Sequence, residues 1–168
     1  MLPKFIEPRE LARRQEVLQA ELSLAGFDRA QDLLVVHEGM LKISWKFYFD
    51  HEGHVCAELN LQADLVLSCQ RCQGELNFPL SLSIPMQVVA NEIEAEALPL
   101  KVSPLYISAE GCCQSLPIIE DELILALPAF PMHEKNHCDR TQNQAYYDTL
   151  SKDVRATYRP FAQLKEKK

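Results

Sequence analysis

Residues 41–49 read LKISWKFYF, residues 50–53 DHEG and residues 55–67 VCAELNLQADLVL, and this stretch decides the fold. In an extended chain Leu41, Ile43, Trp45, Phe47 and Phe49 fall on one side, with Lys42, Ser44, Lys46 and Tyr48 on the other. Asp50 to Gly53 supplies a compact turn. Beyond it Val55, Ala57, Leu59, Leu61, Ala63, Leu65 and Leu67 share a face, opposite Cys56, Glu58, Asn60, Gln62, Asp64 and Ser68. After Cys69-Gln70-Arg71-Cys72-Gln73-Gly74 the alternation resumes with Leu76, Phe78, Leu80, Leu82, Ile84, Met86 and Val88. Three long strands, each apolar on one side and joined by short turns, predict an antiparallel meander with a single packed face. Pro79 and Pro85 remove ladder donors, which puts the third strand at an edge or breaks it there.

Upstream, Pro8 fits a first helical turn and residues 9–15 are good helix formers. Leu18, Ala20, Leu22 and Leu24 then alternate with polar residues as a strand that Gly26 ends, and residues 27–34 suit a brief helix. Downstream, residues 90–116 read as irregular, with Glu92, Glu94 and Glu96 close together. Residues 117–127 form a helix stopped before Pro128, its Ile119, Leu123 and Leu127 making a stripe that can cover the sheet. The expected class is α+β: an antiparallel β meander with one or two helices packed on its apolar face. Residues 1–138 make one domain, and 139–168 a polar, basic, flexible tail.

The 168 residues are 47% apolar, enough for one self-sufficient core. The net charge is −7, and it is unevenly spread. Residues 1–14 hold four basic and two acidic groups, 15–140 seven and nineteen, and 141–168 six and three. An acidic body disfavours a generic nucleic-acid surface, which needs clustered Lys and Arg. The opening MLPKFIEPRE has no secretory pattern, and the longest uncharged stretch, 76–91, is too short to span a bilayer. A cytoplasmic protein with six reduced cysteines is therefore expected, so these invite a metal or redox reading rather than a disulfide framework.

Cys69-x-x-Cys72 between two strands has the geometry of a zinc knuckle. His133, His137 and Cys138 follow the last helix, and a helix lying across the sheet would return them to the knuckle. The alternatives are a cysteine pair with histidines in exposed loops, or a thiol-redox pair. Redox fits less well, because a thioredoxin-type pair opens a helix. Cys112, Cys113 and Cys56 read as packed or incidental thiols, and His37, His51 and His54 as surface histidines. Glu120, Asp121 and Glu122 suit a helix dipole or a partner surface. Consecutive helical residues point about 100° apart, so they do not converge as a catalytic metal site unaided. No phosphate-binding glycine loop is present. Arg9, Arg13 and Arg14 form a small cationic stripe, and Phe161 and Leu164 anchor the basic tail.

Together these motifs resemble the YceD family, the large ribosomal RNA subunit accumulation proteins of bacteria and plastids. The resemblance rests on Cys69-Gln70-Arg71-Cys72 after a long strand and on residues 120–128 (EDELILALP) running into Pro131-Met132-His133 and His137-Cys138. The opening segment from Pro8 to Arg14, followed by Leu22 and Leu24, and the closing PFAQLK of residues 160–165 also match. It implies a role in synthesis, processing or stability of large-subunit (23S) ribosomal RNA, with no enzymatic activity established for the family. It also implies a ligand set of Cys69, Cys72, His133 and Cys138, with His137 the alternative, around one structural Zn²⁺. The chain departs from many relatives, which carry cysteines at the positions of His133 and Cys138 and a further C-P-x-C-G absent here.

The resulting expectation is a non-enzymatic ribosome biogenesis factor. Its partner would be a ribosomal protein or a large-subunit assembly intermediate, met by Glu120, Asp121 and Glu122. Arg13, Arg14, Phe161 and Leu164 would meet RNA or that partner, with no membrane and no small-molecule substrate. The alternatives are a metal-dependent RNA-processing nuclease, or a thiol-redox or zinc-binding regulatory protein built on the C-x-x-C pair.

Overall fold

A computed structural model describes residues 2–134, 137 and 138. The expected tail, 139–168, lies outside the described residues. A short strand β1 (Phe5–Ile6) leads into α1 (Pro8–Arg14), with Pro8 in its first turn. Gln15 takes a left-handed conformation (φ 50°), and the Gln15 and Glu16 N–H groups return to the Ala12 and Leu11 carbonyls at 3.1 and 3.0 Å. That closure stops the helix and turns the chain into β2 (Val17–Ser23). A 3₁₀ turn (Leu24–Gly26) and α2 (Asp28–Gln31) follow, then β3 (Met40–Phe49), β4 (Val55–Ser68) and β5 (Glu75–Val89). The chain ends its described course with α3 (Glu92–Glu96), β6 (Ser103–Tyr106), β7 (Cys113–Gln114) and α4 (Ser115–Ala126).

The main sheet has the order β2-β3-β4-β5-β6, and β1 pairs with β7 in a separate two-stranded ribbon. Each of the first three junctions is antiparallel, so the meander and the α+β class stand as expected from the alternation. Register aligns Leu18, Trp45, Leu59 and Ile84 across four strands. These inward residues join Ala12 of α1, Phe27 and Ala30 of the second helical region, and Ile119 and Leu123 of α4 in one core. The β3–β4 turn is fixed by Asp50, whose Oδ1 accepts from the Glu52 and His54 N–H groups at 2.9 and 2.8 Å.

Four details differ from the sequence reading. β5 is an edge where its prolines predict one, but it is unbroken over 15 residues and its last part is not an edge. Pro79 and Pro85, opposite Asp64 and Glu58, both fall in the edge part; β6 joins only from Met86 onward, in parallel. Residues 90–116 are not irregular throughout. Asn91 and Glu94 cap α3 reciprocally, the Glu94 N–H bonding Asn91 Oδ1 at 3.0 Å and the Asn91 side-chain amide bonding Glu94 Oε1 at 3.0 Å, while β6 and β7 exist through their partners. Leu24 leaves β2 for the 3₁₀ turn yet stays buried. Exposure also breaks the alternation at the margin of the sheet: Leu82, on the apolar side, is exposed on the open stretch of β5, while Cys56 is the packed thiol expected on the polar side.

Candidate metal centre

The turn after β4 is closed by its own backbone. Cys69 N–H donates to the Gly74 carbonyl at 2.9 Å and Gln73 N–H to the Cys69 carbonyl at 2.8 Å, with Gln73 left-handed (φ 60°). Beyond α4 the chain crosses this turn, where Gln70 N–H donates to the Pro131 carbonyl at 2.8 Å. This crossing places His133 and Cys138 over Cys69 and Cys72. One ligand atom from each of the four residues lies within 4.8 Å of all the others.

Around a tetrahedral zinc with sulfur at ~2.3 Å and nitrogen at ~2.0 Å, sulfur–sulfur edges come to ~3.8 Å and sulfur–nitrogen edges to ~3.5 Å. Cys69 Sγ and Cys138 Sγ are 3.8 Å apart, and His133 Nδ1 lies 3.4 Å from Cys72 Sγ and 3.8 Å from Cys138 Sγ. His133 Nε2–H donates to the Glu75 carbonyl at 2.9 Å, which leaves Nδ1 with a lone pair facing the sulfurs. Three sulfurs and one imidazole make a closed donor set that could hold a metal ion, of the kind that ties elements together. Cys69 and Cys72 are buried, while Cys138 and His133 are half-buried.

Desolvation opposes ionisation of Cys69, but the His133, Cys72 and Arg71 N–H groups and the Cys72 thiol outweigh it and bring the group down to about 5. The Gly74 N–H favours the Cys72 thiolate, yet burial and the Cys69 and Cys138 sulfurs prevail and push Cys72 up. Contacts with the Cys138 sulfur and the Glu75 carbonyl raise His133. Arg71 borders the cluster. Its Nε donates to Cys138 Sγ at 2.9 Å, and its terminal nitrogen bonds the His133 and Glu134 carbonyls at 3.2 and 3.1 Å. The sequence shows Arg71 within the Cys69-Gln70-Arg71-Cys72 motif but gives it no role of its own.

His137 is exposed and stands 3.8 Å from Glu134, outside the four-residue cluster. Asp50, Glu52 and His54 form a second group, but Asp50 is engaged by the N–H groups of its own turn and by His54 Nδ1 at 3.0 Å. Cys112 and Cys113 join no cluster of metal-ligating side chains among the described residues, and burial pushes Cys113 up to about 12.

Arg29 was missed altogether, since nothing in the sequence connects it to an acid 91 positions away. Glu120 Oε1 accepts from the Arg29 and Ala30 N–H groups at 2.8 and 3.4 Å, capping the short α2. The Arg29 guanidinium bonds Glu120 at 3.1 Å and Asp121 at 2.7 Å. Glu122 is half-buried beside Ser103, and desolvation raises it. Arg13 pairs with Glu10 within α1; both Arg13 and Arg14 are exposed. Phe161 and Leu164 lie outside the described residues.

Glu120 yields a stability prediction. Partial desolvation would raise its carboxyl, but the Arg29 and Ala30 N–H groups and the guanidinium hold it below the usual carboxylate range. A lowered folded-state value means stabilisation that is present at neutral pH and lost as pH falls through that value. Glu120→Gln is expected to cost ~1 kcal/mol at pH 7 in urea unfolding, a difference that shrinks in acid. An undiminished difference at low pH would show that charge is not the cause.

The family model for the large ribosomal RNA subunit accumulation protein YceD matches residues 57–166. A Haemophilus influenzae protein described as large ribosomal RNA subunit accumulation protein YceD is 29% identical over 169 residues, covering 97% of this chain and 94% of that one. No solved structure matches. The matched span runs from β4 past Cys138, taking in the C-x-x-C turn, α4 and all four residues of the cluster, and on this ground the chain belongs to the YceD family of large ribosomal RNA subunit accumulation proteins.

Proposed function

We propose that this protein supports accumulation of large-subunit (23S) ribosomal RNA as a non-enzymatic assembly factor in the cytoplasm. The observation that carries this reading is the near end-to-end likeness to a relative named for that role. Its body binds a ribosomal protein or an assembly intermediate, with exposed Arg13, Arg14 and the basic residues beyond 140 assisting at RNA or at the same partner. An acidic body between 15 and 140 favours a basic protein over the RNA itself. The Cys69, Cys72, His133, Cys138 cluster holds one structural Zn²⁺ that fastens the arm after α4 to the β4–β5 turn. A closed four-donor set leaves no open position for a substrate, which supports a structural over a catalytic metal. The nuclease alternative loses support because Glu120 and Asp121 are engaged by Arg29. No helix among the described residues is long and apolar enough to cross a membrane.

Depletion of the protein from growing cells tests the role. The ratio of large- to small-subunit ribosomal RNA is expected to fall and unprocessed large-subunit precursors to rise. An unchanged ribosome profile would overturn the assignment. Affinity capture with and without ribonuclease treatment then separates a protein partner, which is retained, from material held through RNA, which is lost.

A further inference from the structure

We propose that Arg71 is a positioning residue for the cluster: its guanidinium binds the arm carrying His133 and Cys138 to the turn carrying Cys69 and Cys72, and offsets the charge of the loaded centre. This rests on the zinc reading above. The side chain leaves the middle of the C-x-x-C turn and makes three bonds to the opposite arm, to Cys138 Sγ at 2.9 Å and to the His133 and Glu134 carbonyls at 3.2 and 3.1 Å. Two of the four ligands are therefore held by a side chain that is not a ligand. Three thiolates, a neutral imidazole and a divalent cation sum to one negative charge, and Arg71 beside Cys138 brings the group to neutrality. A thiolate accepting a charged N–H bond is also oriented by it, as outer-sphere donors orient metal ligands elsewhere.

Geometry makes the residue type specific. A planar fork reaches a sulfur through Nε and two carbonyls through a terminal nitrogen at the same time. A lysine ammonium supplies the charge at one point but not the fork. The arm's other ties to the turn and its flank include the Gln70–Pro131 backbone bond, the His133 N–H to Cys69 Sγ at 3.5 Å, the His133 Nδ1 contact with Cys72 Sγ at 3.4 Å and the His133 Nε2–H to the Glu75 carbonyl. Without the guanidinium, Cys138 meets the turn only through weak sulfur contacts with Cys69 and Cys72 among the described residues.

The test uses the full chain, stripped of metal and titrated with Zn²⁺ against a chromophoric chelator, with far-UV circular dichroism to verify folding. Arg71→Gln is expected to bind zinc about 10–100-fold more weakly than the parent chain, and Arg71→Lys to fall between the two. In the zinc-free chains, hydrogen exchange of the peptide carrying His133 and Cys138 is expected to quicken in both variants, because both lose the fork. Equal zinc affinity and equal exchange in Arg71→Gln and the parent would overturn the proposal while leaving the zinc reading in place. A parent chain that takes up no zinc would instead overturn the zinc reading, and unchanged exchange in Arg71→Gln would then remove the positioning role as well. Should Arg71→Gln fail to fold, Arg71→Lys decides on the same two measurements.

Discussion

Cys69→Ser is expected to reduce the zinc content from one ion per chain to none and to lower Tm by roughly 10–20 °C. At free zinc about a thousandfold above the dissociation constant, binding to the folded state contributes ~4 kcal/mol, and each kcal/mol moves Tm of a domain this size by about 3–5 °C. Cys69 is the fitting target because it is fully buried, lies 3.8 Å from Cys138 Sγ and accepts the His133 N–H at 3.5 Å. The apolar core between the sheet and its helices includes none of the four cluster residues, so the variant should stay folded with its sheet intact. The loss should concentrate in the arm after α4. A chelator added to the parent chain should reproduce the same drop, and no further drop is expected when it is added to the variant. Elemental analysis and differential scanning calorimetry make the check. A parent chain whose Tm ignores the chelator would sink the metal's structural role.

Trp45→Ala is expected to cost 3–5 kcal/mol in urea unfolding, the usual range for emptying a buried aromatic site. The indole is completely buried at the middle of β3, flanked in register by Leu18 and Leu59, with its ring 5.1 Å from that of Phe47. No neighbouring strand can slide to fill such a gap without shifting the whole register. Trp45→Phe should cost much less, on the order of 1 kcal/mol. It keeps most of the apolar volume and removes the indole N–H, which is buried and has no hydrogen-bond partner among the described residues. Equal losses for the two variants would overturn the view that ring volume governs the site.

The central sheet was legible because its strands are long and polar on one face. Alternation from Leu41 to Val88 identifies the buried side of β3 and β4, and Asp50-His51-Glu52-Gly53 marks the turn between them. The same reasoning fails where pairing, not local pattern, makes the strand. β6 is four residues long, contains Pro104, and exists because Met86–Val89 offers an open edge beyond Pro85. In the cluster, the C-x-x-C turn and the histidines and cysteine after α4 were visible as residue types. Two things were not: which histidine turns inward, and how the arm is held. Both depend on backbone partners, the Glu75 carbonyl for His133 and the Pro131 carbonyl for Gln70, and backbone atoms leave no trace in composition. The acids of α4 were legible as charges but not as a cap, since their partner Arg29 stands on the other side of five strands in sequence.

That cap also sets an order of assembly. The β3–β4 and β4–β5 hairpins close over short turns and need nothing distant, so they can form early in folding. α2 has four residues, too few to persist alone, and the side chain that terminates its first turn arrives from 91 positions downstream. The loop between them must close before that carboxylate can act, so α2 is a late event, consolidated only when α4 has docked. Weakening the Arg29–Glu120 link should then hasten unfolding while leaving the folding rate nearly untouched, which makes this small ion pair a latch on the finished domain rather than part of its nucleus.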